Sequence, residues 1–179
     1  MKGNRHLYII PECYVDTNLI EYLLNAYVNY QHSCTKVVGK LKAELKDKFA
    51  VGIIDKDKVE LGYIKECREI AATEHLTLMK HKDCGQYLIT IRPAVDGFIM
   101  YIARNDEISL QDYGLPSRLK EFTKECKRVT SNKDSRFKDL FKALKNNREL
   151  RNLRVALEYM IENKYRIDVN TLRNHFEAP

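Results

Sequence analysis

Five small or apolar residues in a row, Ala50-Val51-Gly52-Ile53-Ile54, run straight into Asp55-Lys56-Asp57-Lys58. A half-exposed strand alternates apolar and polar side chains, whereas an unbroken short apolar run fits a strand covered on both faces. A second run, Leu7-Tyr8-Ile9-Ile10, is closed by Pro11 and reads as a buried strand over 6–11. These two runs anchor the rest of the pattern. Between them Asp16 or Thr17 can cap a helix, and Leu19, Ile20, Leu23, Leu24, Tyr27 and Val28 recur at spacings of three and four. That spacing predicts a helix ending near 30–32. Cys34 to Val38 fits a short strand or a loop, and Gly39 to Phe49 an exposed helix with Leu41 and Leu45 inward.

Beyond Asp57 the pattern predicts a helix over 59–72, with Leu61, Ile64, Cys67, Ile70 and Ala71 on one side. Leu76 to His81 and Tyr87 to Pro93 read as strands on either side of a turn, Asp83-Cys84-Gly85-Gln86, so an antiparallel hairpin fits. A helix over 94–104 follows. After Gly114 and Pro116 the spacing is helical throughout, over about 117–128, 134–146, 149–163 and 170–176. Strand and helix alternation of this kind predicts an α/β fold with a mostly parallel sheet flanked by helices. Residues 1–113 would form that unit, and 114–179 an all-helical C-terminal extension packed on it.

Charge separates the same two parts. Residues 1–113 hold 15 Lys and Arg against 16 Asp and Glu; residues 114–179 hold 16 against 9. The positive excess thus lies in the last third. A basic segment favours an acidic partner such as nucleic acid, although interspersed acids also fit a solvated helix surface. Lys120, Lys124, Lys127 and Arg128 recur at three and four and predict one basic helical stripe, suited to a phosphate backbone. Its aromatic neighbours Phe137 and Phe141 fall at core spacing, so no base-stacking pattern accompanies it. No run approaches the ~18–20 apolar residues of a membrane span. Residues 1–11 lack a signal-peptide core. The five cysteines are scattered without a Cys-x-x-Cys pair. They suggest reduced thiols and a cytoplasmic protein.

Functional groups in open α/β sheets collect beyond the carboxyl ends of the strands. Glu12 follows the first strand and Asp55 the second, with Asp16 and Asp57 close behind. If the strands are parallel neighbours, four carboxylates converge. Two unit charges ~4 Å apart repel by roughly 4 kcal/mol at an effective dielectric of 20. A Mg²⁺ or Mn²⁺ ion would relieve that repulsion, and hard oxygen ligands suit it. Each acid alone also fits a commoner role: Asp16 and Asp57 as helix caps, Glu12 on the surface.

The segments "YIIPECYVD" and "VGIIDKDK" together resemble the TOPRIM domain of topoisomerases, primases and nucleases of the overcoming-lysogenization-defect type. The resemblance covers roughly residues 6–92 and extends to small bacterial and prophage proteins of TOPRIM type. It implies a Rossmann-like sheet, with Glu12 as general acid/base or metal ligand. It also implies Asp55 and Asp57 as Mg²⁺ ligands, with Asp16 more weakly. Cys13 stands where the family often has Gly. Lys58 is a candidate for stabilising transition-state charge, or for balancing the acids. Lys80, with His81 and Lys82, would join the site only if its strand ran parallel to the first two. The expected function is a metal-dependent nuclease or phosphotransferase acting on DNA or RNA. The alternative is a non-catalytic component of a phage-defence or mobile-element system. Either could work with a protein partner or as a homodimer.

Overall fold

Two strand segments open the chain, β1 (Asn4–His6) and β2 (Ile9–Pro11), followed by helix α1 (Tyr14–Leu24). Asn25, at φ 46°, ends α1 in the left-handed conformation. This turn frees the chain for a strand, β3 (Ala26–Val28), which pairs in parallel with β1. The helix predicted to end near 30–32 therefore stops six to eight residues early. Tyr27 and Val28, which extend its spacing, belong to the strand. Backbone bonds from Asn29 N–H to Ile9 O (2.9 Å) and Gln31 N–H to Pro11 O (3.2 Å) carry β3's line on beside β2.

Helix α2 (Cys34–Ala43) replaces the strand considered for 34–38. Ser33 caps it by accepting from Lys36 N–H, and Cys34, Val37, Val38 and Leu41 form its buried face. The sheet continues with β4 (Ala50–Asp55), buried at every position. A short helix, α3 (Gly62–Lys65), leads into β5 (Cys67–Ala72). The predicted helix over 59–72 is thus corrected: most of its second half is strand. In β5, Arg68 and Glu69 are both exposed and the register shifts between Glu69 and Ala71. That irregularity hides the two-residue alternation. β6 (Leu76–His81) and β7 (Gln86–Ile91) form the expected antiparallel hairpin.

The main sheet has the order β2-β4-β7-β6-β5. β2, β4 and β7 run parallel, while β6 is antiparallel to both β5 and β7. The architecture is α/β with a mixed sheet. Gly52 on β4 faces α2 at close quarters. A Cβ there would lie 3.0–3.1 Å from Leu88, Leu41 and Val37 side-chain carbons, so only glycine fits without displacement.

Residues 95–176 are helical: α4 (Val95–Asn105), α5 (Leu119–Cys126), α6 (Ser135–Ala143), α7 (Arg148–Asn163) and α8 (Val169–Phe176), joined by turns and 3₁₀ segments. Two apolar layers enclose the sheet. α2 and α3 pack with Ile10, Ala50, Ile54 and Leu88 on one face. On the other, Ile9, Val51, Ile53 and Ile89 meet α1, α4 and the later helices in one cluster through Phe122, Phe137, Leu157 and Phe176. That core is continuous across residue 113.

The computed structural model describes residues 4–31, 33–56 and 62–179. Among these residues no helix is long and apolar enough to cross a membrane.

Candidate functional site

The chain leaves β2, passes through α1 to β3 on one side, then returns through α2 to β4 on the other. Strand order therefore reverses between β2 and β4, the position where open α/β sheets form a crevice. Glu12 and Asp55 sit there because each follows or ends one of those two strands. The Asp55 backbone N–H donates to Glu12 Oε2 at 3.1 Å. Val95, the first residue of α4, donates its N–H to Asp55 Oδ1 at 2.9 Å. An acid at a helix N-terminus meets donors that have no partner within the helix, together with the positive end of the helix dipole.

Asp16 lies one turn into α1. Its Oδ2 accepts from Cys13 N–H at 3.1 Å, closing the helix start. The helix cap expected at Asp16 or Thr17 falls on Cys13 instead, and Asp16 serves as the third helical residue of a capping box. Asp16 is only 1% exposed, and its Oδ1 is buried without a hydrogen-bond partner among the described residues. Burial, then the charges of Asp55 and Glu12, hold its carboxyl well above the usual carboxylate range; the Cys13 N–H works the other way. Three buried acids therefore share one corner of the fold.

A cleft of about 420 Å³ opens over this corner. It is lined by Glu12, Asp55 and Asp96 together with Tyr14, Tyr30, Thr123, Cys126 and Lys127. Asp96, in the first turn of α4, accepts from Gly97 N–H (2.8 Å) and from the Thr123 hydroxyl. Burial, then Asp16, pushes the Cys13 thiol up, and burial, then Asp96, pushes up Cys126. Neither thiol at the cleft is suited to act as a thiolate nucleophile.

The donor set is oxygen-rich and acidic, which fits a hard divalent cation. Asp16 Oδ1 is an acceptor still open to a donor or cation. Among the described residues, however, no group of three His, Cys, Asp or Glu side chains is arranged to hold an ion. Asp57, the fourth predicted ligand, and Lys58 lie outside the described residues.

Lys80 does not join the cleft. β6 runs antiparallel, so Lys80 pairs with Tyr87 at the start of β7, while Asp55 pairs with Ile91 at its end. Four residues of strand, roughly 13 Å, separate those positions along the sheet. Lys80 Nζ instead reaches the His81 and Cys84 carbonyls and lies over the Tyr87 ring. His81 is held by Glu66 (3.1 Å) and by Asp83 N–H (3.1 Å) at that same far end.

On α5, Lys120 and Lys124 are exposed, and exposed Lys127 follows the last turn at the cleft rim. Arg128 lies past the helix end and pairs with Glu125 at 2.9 Å. The basic row thus holds three exposed lysines, of which Lys127 lines the cleft. Sequence reasoning had no signal for Tyr30 at the site, because its line of strand lies inside an apparent helix. No protein-family model, curated protein or solved structure matches the chain.

Proposed function

We propose that the chain is a TOPRIM-like, Mg²⁺- or Mn²⁺-dependent enzyme that cleaves or transfers phosphodiesters of nucleic acid. The observation that carries this reading is the 3.1 Å bond from Asp55 N–H to Glu12 Oε2, which joins the ends of two parallel strands at the sheet's reversal point. Asp16, buried beside them with an oxygen lacking a partner among the described residues, supports it. In this reading Asp55 and Asp16 are ligands, and Glu12 is a ligand or the acid/base group. Asp57 completes the set and Lys58 adds positive charge, both on the sequence pattern alone. A bound divalent ion would supply charge stabilisation at the phosphoryl oxygens. Lys127, Lys124 and Lys120 hold the backbone of the polymer by charge, without reading its sequence.

The test is cleavage of a mixed DNA and RNA pool with Mg²⁺ or Mn²⁺, with chelator, and with the Asp55→Asn variant. Cleavage that needs the ion and is lost in the variant supports the enzyme. A second reading rests on the exposed lysine row: a non-catalytic nucleic-acid-binding component of a phage-defence or mobile-element system, acting with a protein partner or as a homodimer. Binding that falls with salt but ignores chelator and Asp55→Asn supports this module instead.

A further inference from the structure

Tyr14 and Tyr30 stack on one another at the cleft, with ring centroids 4.8 Å apart and planes 28° from parallel. Tyr14 is the first residue of α1, and Tyr30 lies on the strand line beyond β3. The two rings therefore come from segments that also position Glu12 and flank β2.

The surroundings select a ligand. Glu12, Asp55 and Asp96 line the same cleft, and so does the exposed Lys127. The volume, about 420 Å³, falls at the low end of small-ligand clefts and leaves room for one base with its sugar, not for stacked base pairs. An aromatic platform beside a cation stem is the usual means of holding an unpaired base and its backbone, since every base offers a π-face.

We propose that the cleft takes one unstacked nucleotide of a single-stranded nucleic acid, its base against the Tyr14–Tyr30 pair and its backbone along Lys127 and Lys124. This rests on the nucleic-acid reading above and narrows it from nucleic acid in general to strands with an unpaired base. Affinity for a single strand would then have two separable parts: a salt-dependent part from the lysines and a salt-tolerant part from stacking.

The absence of tryptophan makes the test direct. Tyr30→Trp introduces a single reporter whose fluorescence a stacked base quenches. A 12-nucleotide single strand and a blunt hairpin of the same composition are titrated in chelator, so that no cleavage intervenes. Quenching by the strand and not by the hairpin is expected. Tyr30→Leu should weaken strand binding roughly 5- to 100-fold, and Tyr30→Phe should leave it near wild type. Salt-sensitive strand binding without quenching, or unchanged in Tyr30→Leu, overturns the stacking inference while leaving the nucleic-acid reading intact. Tighter binding of a free mononucleotide than of the strand also overturns it. No binding of strand or hairpin overturns both.

Discussion

Two groups of acids, Asp134 with Glu125 and Glu12 with Asp16 and Asp55, are treated differently by the fold. Asp134 and Glu125 meet the Arg136 guanidinium, which reaches Asp134 Oδ2 at 2.7 Å and Glu125 Oε2 at 3.0 Å and also donates to Gly114 O. Glu12, Asp16 and Asp55 are held by backbone N–H groups of Asp55, Cys13 and Val95. Arg136 binds the turn before α6 to α5 and draws the Asp134 carboxyl below its ordinary range. In the other group, burial and mutual repulsion push Asp16 upwards. Paired acids of the first kind stabilise. Acids crowded together at a strand end cost stability, a pattern that recurs at ligand sites.

The largest expected effect separates the groups by activity. Glu12→Gln and Asp55→Asn should each lower ion-dependent cleavage by about 100-fold or more, a typical loss for an acid/base or ligand group. Glu125→Gln should leave turnover unchanged; a comparable loss there would erase the distinction. Next, Asp16→Asn should raise stability in metal-free buffer near neutral pH, by about 1 kcal/mol or more, because it removes a buried acid repelled by Asp55 and Glu12. Denaturant midpoints measure this, and a lower midpoint would show that the carboxylate supports the fold. Arg136→Ala should lower stability by about 1–2 kcal/mol, discounted because the side chain is 39% exposed.

A smaller effect lies in pH. Asp134 is depressed in the fold and titrates near 3.9 when unfolded, so its contribution is present above pH ~4 and fades as pH falls through the lowered value. Asp16 has the opposite sign: its carboxyl is raised, so folding takes up a proton, and stability falls as pH rises from ~4 towards the raised value. Removing each group in turn should flatten stability curves in opposite directions, by less than ~1 kcal/mol for exposed Asp134 partners. The smallest change concerns binding. Replacing Lys120, Lys124 and Lys127 by Ala should reduce the salt slope of strand binding by roughly two to three, at ~0.7–0.9 per phosphate contact.

The two strands that carry Glu12 and Asp55 were legible because both faces of each are covered. Burial on both sides writes an unbroken apolar run, and the topology rule then places the residue after it. β3 was hidden because Tyr27 and Val28 continue α1's spacing, and only the backbone turn at Asn25 separates them. β5 was hidden for an opposite reason: an edge strand with a register shift loses its alternation, and Cys67 and Ile70 then mimic a helix face. α2 misleads through β-branched Val37 and Val38, although its buried positions keep helical spacing. Lys80 could be placed only by knowing the direction of β6, which side-chain type does not record. Tyr14 and Tyr30 are sixteen positions apart and meet only once β3 lies beside β2.

The outer edge of β5 is covered from far along the chain. Arg173 Nε donates to Ile70 O at 2.7 Å and Ala72 N–H donates to Glu177 Oε1 at 3.0 Å, across 103 and 105 residues. Such long loops close slowly. During synthesis the hairpin of β6 and β7, which ends at Ile91, is complete more than eighty residues before those two side chains. Until residue 177 has left the ribosome the edge of β5 lacks these two partners, and an uncovered strand edge is a template for pairing with other chains.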